Sequence, residues 1–247
     1  MKRRALLCLA GAAAANLAML ATGRAGPPAC ALPPELMHVL PKLPHFAERL
    51  HARQPVTIVA IGGASTKGAA AGAPDLAYPH RLQVALAAVF PDVPITVVNK
   101  GVPRQSTRQM VERFPTDVMA EDPVLVVWEA GISDAVRGIE IDDFVTALEA
   151  GIDEVKNRAI DILLVDMQFS RRASTVINFE QYLDALYRVG DLTEVYVFPR
   201  FEMMRYWSEQ NIFNFDEVAD EERARLAAKV YDCIGRKLAE AIRLAVR

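Results

Sequence analysis

Ser65 is the residue whose setting most invites chemistry. It sits in Ile58-Val-Ala-Ile-Gly-Gly-Ala-Ser-Thr-Lys-Gly68, an apolar run that breaks into small residues and then a hydroxyl pair. Such a run reads as a buried strand followed by a tight turn, which can expose a hydroxyl beside free backbone N–H groups. A Ser-Thr pair there can equally cap the following segment, and capping is the favoured reading. Glu129 closes a second apolar run, Val124–Glu129, and can face a polar ligand or pair with an arginine. Asp134, five residues on, is read as ordering the turn after that strand rather than as a catalytic carboxylate. Asp216, Glu217, Asp220, Glu221 and Glu222 form an acidic cluster before the last helix. A carboxylate there could act as a base, although acidic residues at a helix N-terminus are favoured by the helix dipole alone. The four histidines, His38, His45, His51 and His80, all lie in the first third of the chain.

The elements that must position these groups alternate. Val56–Ile61, Ile95–Asn99, Val124–Glu129, Ile160–Asp166 and Val195–Phe198 are short, Val/Ile-rich runs of the kind buried on both faces of a parallel sheet. Helical patterns lie between them, over Tyr78–Phe90, Thr107–Met119, Ile141–Lys156 and Phe179–Val189. A last, long helix carries Leu226, Val230, Cys233, Ile234, Leu238 and Ile242 on one stripe. The pattern predicts a doubly wound α/β sandwich with a five-stranded parallel sheet. Ligands of such folds bind beyond the carboxyl ends of the strands. That gathers Gly62–Gly68, Asn99–Gly101, Glu129–Asp134 and the approach to the last helix around one cleft.

Residues 1–25 read as a signal peptide: Lys2-Arg3-Arg4, an Ala-rich apolar run, then small residues for cleavage. Residues 26–54 read as a Pro-rich linker and an N-terminal helix broken by Pro41 and Pro44, and residues 55–247 as the domain proper. Loss of the first 25 residues, with four basic side chains and no acidic one, takes the formal charge from −3 to −7. An acidic domain argues against nucleic-acid and anionic-membrane partners, and the mature chain holds no membrane span. Cys30 and Cys233 remain, and in an oxidising compartment a disulfide between them is expected. The protein is expected to be secreted or periplasmic. No Gly-x-Gly-x-x-Gly follows the first strand, no Gly-Lys-Ser/Thr phosphate loop is present, and no His/Cys cluster suggests zinc. No cofactor and no metal are expected.

The segments below, in this order, resemble the SGNH/GDSL hydrolases, secreted bacterial members above all. Gly62-Gly-Ala-Ser-Thr-Lys-Gly68 is similar to their Gly-Ser-Ser-Ser-Thr-x-Gly, Tyr78-Pro-His-Arg-Leu82 to their Tyr-Pro-x-Arg-Leu, and Asn99-Lys-Gly101 to their Asn-x-Gly. Val127-Trp-Glu-Ala-Gly-Ile-Ser-Asp134 is the third motif, and Phe198-Pro-Arg-Phe-Glu-Met-Met-Arg-Tyr-Trp207 resembles the segment before the final catalytic loop. The resemblance implies ester hydrolysis by a serine, a histidine and an aspartate, with an oxyanion held by backbone N–H groups and an asparagine. Aligned on Gly62, the nucleophile position holds Ala64. The glycine donor is Gly101, the asparagine position holds Ser133, and the aspartate and histidine positions fall at Glu222 and Arg225. Two functions follow. The favoured one is a catalytically degenerate member that binds a glycan, an acylated ligand or a protein partner in the strand-end cleft. The other is a divergent esterase for small acyl esters of carbohydrate or lipid, using Ser65, a carboxylate from the Asp216–Glu222 cluster, and Gly101 with Ser133.

Overall fold

The computed structural model describes residues 30–37, 42–215 and 218–247, without the Asp220 side chain. The expected signal segment, residues 26–29 of the linker, His38, Pro41, Asp216 and Glu217 lie outside those residues. The strands are β1 (Val56–Gly62), β2 (Ile95–Gly101), β3 (Leu125–Glu129), β4 (Asp161–Val165) and β5 (Tyr196–Phe198). They form one sheet in the order β2-β1-β3-β4-β5, and every pair is parallel. This is the expected five-stranded doubly wound α/β sandwich. The chain order reverses at β1, which has β2 on one side and β3 on the other, so the crevice between β1 and β3 is where such a sheet opens for a ligand.

Both faces of the sheet are covered. Ile58, Leu125, Val127, Leu163 and Val165 point into one core with helices α3 (Tyr78–Val89) and α10 (Asp220–Ala245). Val59, Ile61, Val126, Trp128, Ile162 and Leu164 point into the other, with α7 (Ile141–Lys156) and α8 (Glu180–Thr193). This strict alternation is why each strand reads as a continuous apolar run. Trp128 packs edge-on to Phe114 at 5.0 Å between ring centres. A Cβ on Gly151 of α7 would lie 2.5 Å from the Trp128 ring, so that glycine lets the helix seat on the tryptophan.

The N-terminal region starts with a 3-10 turn over Pro34–Met37, then α1 (Pro44–His51), with Pro44 opening the helix as its missing N–H allows. The helix expected over Thr107–Met119 is instead α4 (Thr107–Val111) and α5 (Phe114–Asp117), because Pro115 cannot continue the hydrogen-bond ladder. Three helices went unpredicted: α2 (Ala64–Lys67), α6 (Ile132–Arg137) and α9 (Arg200–Glu209). Cys30 and Cys233 form a disulfide, with Cα atoms 5.2 Å apart, that ties the tail to α10. Among the described residues no helix is long and apolar enough to cross a membrane.

Candidate functional site

The chain leaves β1 at Gly62 and turns at once into the single turn of α2. Gly62 is required there, because a Cβ would collide with Thr66 Oγ1 and lie 2.7 Å from Glu129 Cβ. This close approach brings both hydroxyls of α2 onto the carboxylate at the end of β3. Ser65 Oγ donates to Glu129 Oε1 at 2.6 Å, and Thr66 Oγ1 donates to Oε2 at 2.5 Å. The phenol of Tyr78, at the start of α3, lies 3.0 Å from Thr66 Oγ1. From the far side comes Arg200, the first residue of α9. Its Nη1 donates to Ser65 Oγ at 2.8 Å, and its Nη2 lies 3.2 Å from Glu129 Oε1. Ser65, Glu129 and Arg200 are 5%, 1% and 2% exposed, so the ion pair and its serine are sealed from bulk water.

Burial alone would raise the Glu129 carboxyl. The adjacent Arg200 charge, with hydrogen bonds from Ser65 and Thr66, outweighs it and holds the group below the usual carboxylate range. Glu129 is therefore an ionised, fully coordinated carboxylate and a weak base. A serine hydroxyl loses its proton only to a much stronger acceptor or to one whose cation is stabilised as it forms, which is the service a histidine–aspartate pair provides. The Ser65 oxygen is also spoken for, since it accepts a hydrogen bond from the guanidinium. The arrangement stabilises a buried charge well and activates a nucleophile poorly.

The remaining expected residues fall around this network or away from it. Ala64 is on the exposed side of the turn and, with Ser65, Arg104, Glu129, Ser133 and Gln168, lines a strand-end cleft of about 330 Å³. Gly101 does not offer its N–H to that cleft. The N–H is given to Asn99 Oδ1 at 2.9 Å, while Asn99 Nδ2 donates to the Thr66 carbonyl at 2.7 Å. A Cβ on Gly101 would run into the Lys67 backbone, so this glycine allows β2 to lie against α2. Asp134 is buried and accepts from the Thr107 N–H at 3.0 Å and the Thr107 hydroxyl at 2.9 Å, which fastens α4 to α6.

Among the described residues the carboxylate that reaches Ser65 is Glu129, while Asp216, Glu217 and the Asp220 side chain of the expected cluster lie outside them. Within that cluster Glu222 bonds Arg225 at 2.8 Å, and Arg225 is 77% exposed. The positions expected for aspartate and histidine thus hold a surface ion pair. His45 lies at the other end of the sheet, 2.7 Å from Asp161 where β4 begins. Ser65 lies inside α2 and uses its hydroxyl on Glu129 rather than as a cap. Trp207 is fully buried and packs edge-on to Phe213. Arg200 was not singled out from the sequence. The signal that could have found it is a glutamate ending an otherwise apolar strand, which requires a buried cation. Among the described residues no group of His, Cys, Asp and Glu could hold a metal ion.

A five-stranded parallel sheet with a serine-bearing turn after β1 and a cleft at the β1/β3 crevice defines an α/β protein of the SGNH/GDSL hydrolase type. Within that class the chain belongs to the non-GDSL lipase-like family, whose model matches residues 29–247. Among solved structures it is similar to an acetylxylan esterase from Geobacillus stearothermophilus, at 18% identity and a TM-score of 0.59 over 76% of this chain and 94% of that one. It is also similar to a two-domain esterase active on acetylated mannans, at 18% identity and a TM-score of 0.61 over 84% of this chain and 56% of that one. TesA matches at 20% identity and a TM-score of 0.56 over 72% of this chain and 97% of that one. At these identities the likeness establishes the fold. A comparison with curated proteins gives no match.

Proposed function

We propose that this protein is an exported, non-hydrolytic member of the SGNH type, whose strand-end cleft binds a carbohydrate or acyl-ester ligand without cleaving it. The observation that carries the reading is the state of Ser65. Its hydroxyl is fixed between Glu129 and Arg200, and Ala64 occupies the nucleophile position. Losing the nucleophile or the base of a serine triad typically removes about 10⁴-fold or more of rate. The ligand class rests on the acetylated polysaccharides named for the esterases of like fold, and export rests on the Cys30–Cys233 bridge and the basic-then-apolar N-terminus.

The second reading is a divergent esterase with Ser65 as nucleophile and Glu129 as base. The 2.6 Å bond between them and their shared place in the cleft wall favour it. One experiment separates the two. Purified protein and its Ser65→Ala variant are assayed side by side on p-nitrophenyl acetate and on acetylated xylo- and manno-oligosaccharides. Equal background rates, with saturable oligosaccharide binding, are the expected result. Turnover that disappears in Ser65→Ala would establish the esterase and end the non-hydrolytic reading.

A further inference from the structure

The strand-end cleft of about 330 Å³ carries a cation that the fold itself does not use. Arg104, on the turn between β2 and α4, is exposed and lines the cleft. Its guanidinium has no hydrogen-bond or ion-pair partner among the described residues. Its backbone lies in the left-handed region, at φ 66°, directly after Pro103. A turn with proline at its second position and positive φ at its third ordinarily takes glycine or asparagine there. An arginine at such a position carries a conformational cost that the turn alone does not require. Arg137, at the end of α6, holds that conformation. Its Nη2 donates to the Arg104 carbonyl at 2.5 Å and its Nη1 to Gln109 Oε1 at 3.2 Å. Both acceptors are neutral, and the buried Asp134 carboxylate offsets part of the Arg137 charge. Glu129 is the one acidic residue lining the cleft among the described residues, and Arg200 balances it. The Arg104 charge is left over.

We infer that the strand-end cleft selects an acidic glycan, with the carboxylate of a uronate residue on Arg104. The inference rests on the reading of this cleft as a carbohydrate site and narrows the carbohydrate. A guanidinium fork matches a carboxylate in shape as well as in charge. A single excess cation suits a monoanion, whereas a dianion such as a phosphate monoester would face Glu129 and Asp134 with half its charge unmatched. The rest of the wall suits a sugar ring. The Ser133 hydroxyl and the Gln168 amide make no hydrogen bond among the described residues, so both are available to ring hydroxyls. Ile132 and Val136 offer apolar surface to the C–H face of a ring, Val136 being 58% exposed. The volume lies near the low end of the roughly 300–1,000 Å³ usual for ligand sites, which admits a short stretch of glycan.

The probes are the galacturonic acid trimer and its fully methyl-esterified form, which keeps the sugars and loses the charges. Each is titrated calorimetrically into the whole protein at low ionic strength, because salt screens an exposed ion pair. The acid is expected to bind saturably and about fivefold tighter than the ester, the scale of one exposed ion pair. In Arg104→Gly the two should bind alike, with the affinity for the ester unchanged. That variant removes the guanidinium at a φ that glycine adopts freely, so it keeps the fold. Propionate, a carboxylate without a ring, should show no saturable binding over the same range. Equal binding of acid and ester, or an acid preference that survives in Arg104→Gly, would overturn the uronate site and leave the carbohydrate reading standing. Silence from both galacturonate forms while acetylated xylo-oligosaccharides bind would do the same. Propionate binding as tightly as the trimer, or no saturable binding of any oligosaccharide, would overturn both.

Discussion

A carboxylate that accepts from two hydroxyls and faces a guanidinium, all within a few per cent of full burial, is held by its partners rather than by water. Removing one charge from such a pair leaves the other stranded, at a cost of about 3–5 kcal/mol, whereas replacing both with apolar groups of similar size can be nearly neutral. Glu129→Gln keeps the size and loses the charge that balances Arg200, so a loss of about 3 kcal/mol or more in urea unfolding is expected. Glu129→Gln/Arg200→Met should recover much of it. If the single variant unfolds at the same urea concentration as the unaltered protein, the ion pair is not holding the strand ends together. The sequence showed half of this network. Gly62, Ser65, Thr66 and Glu129 were visible because hydroxyls in a small-residue turn and an acid ending an apolar strand are both locally anomalous. Arg200 was hidden, since it bonds Ser65 across 135 residues and nothing local marks one arginine among many as buried. Gly101 was assigned a chemical role by resemblance, while its observed role is steric.

At the scale of elements, the strands were legible to within a residue or two because two-sided burial leaves continuous apolar runs. The one-turn helices α2 and α6 are too short for periodicity to register. The tenth helix was read from its stripe, and α9 was not, since its polar Arg200-Phe-Glu-Met-Met-Arg205 start lacks a clean apolar face. What anchors α9 is Asp166, just after β4. It is fully buried, accepts from the Phe201 N–H at 2.7 Å and from the Tyr187 hydroxyl at 3.0 Å, and its carboxyl is pushed up to about 7 by that burial. A carboxyl raised in the folded state stabilises the fold fully below its unfolded pKa, near 4, and loses that contribution as pH rises to about 7. Asp166→Asn keeps an acceptor for Phe201 and cannot ionise. Between pH 5 and 7.5 the unaltered protein should therefore lose roughly 2–3 kcal/mol of stability relative to Asp166→Asn. Urea melts across that range test it, and parallel pH curves for the two proteins would mean that Asp166 does not titrate there.

For the whole molecule, the Cys30–Cys233 bridge links the tail to the last helix over 203 residues of sequence. Both cysteines stood out in the sequence as the pair remaining after the expected signal segment, and their pairing follows from where the fold places them. The tail is also held by other means: Trp207 Nε1 donates to the Ala31 carbonyl at 3.0 Å, and the Leu43 N–H donates to the Ala245 carbonyl at 3.3 Å. Those contacts position the tail in the folded state but do not restrain the unfolded chain. The disulfide does, and closing so long a loop removes enough entropy from the unfolded ensemble to be worth about 3–5 kcal/mol. For a domain of this size that corresponds to roughly 10 °C in melting temperature. Reduction, or Cys30→Ser/Cys233→Ser, should lower the melting temperature by about that much while leaving far-UV circular dichroism at room temperature unchanged, because the sheet and the Ser65–Glu129–Arg200 network do not depend on the tail. A melting temperature that does not respond to reductant would show that the thiols are free in solution, and with them would go the main structural support for an exported protein.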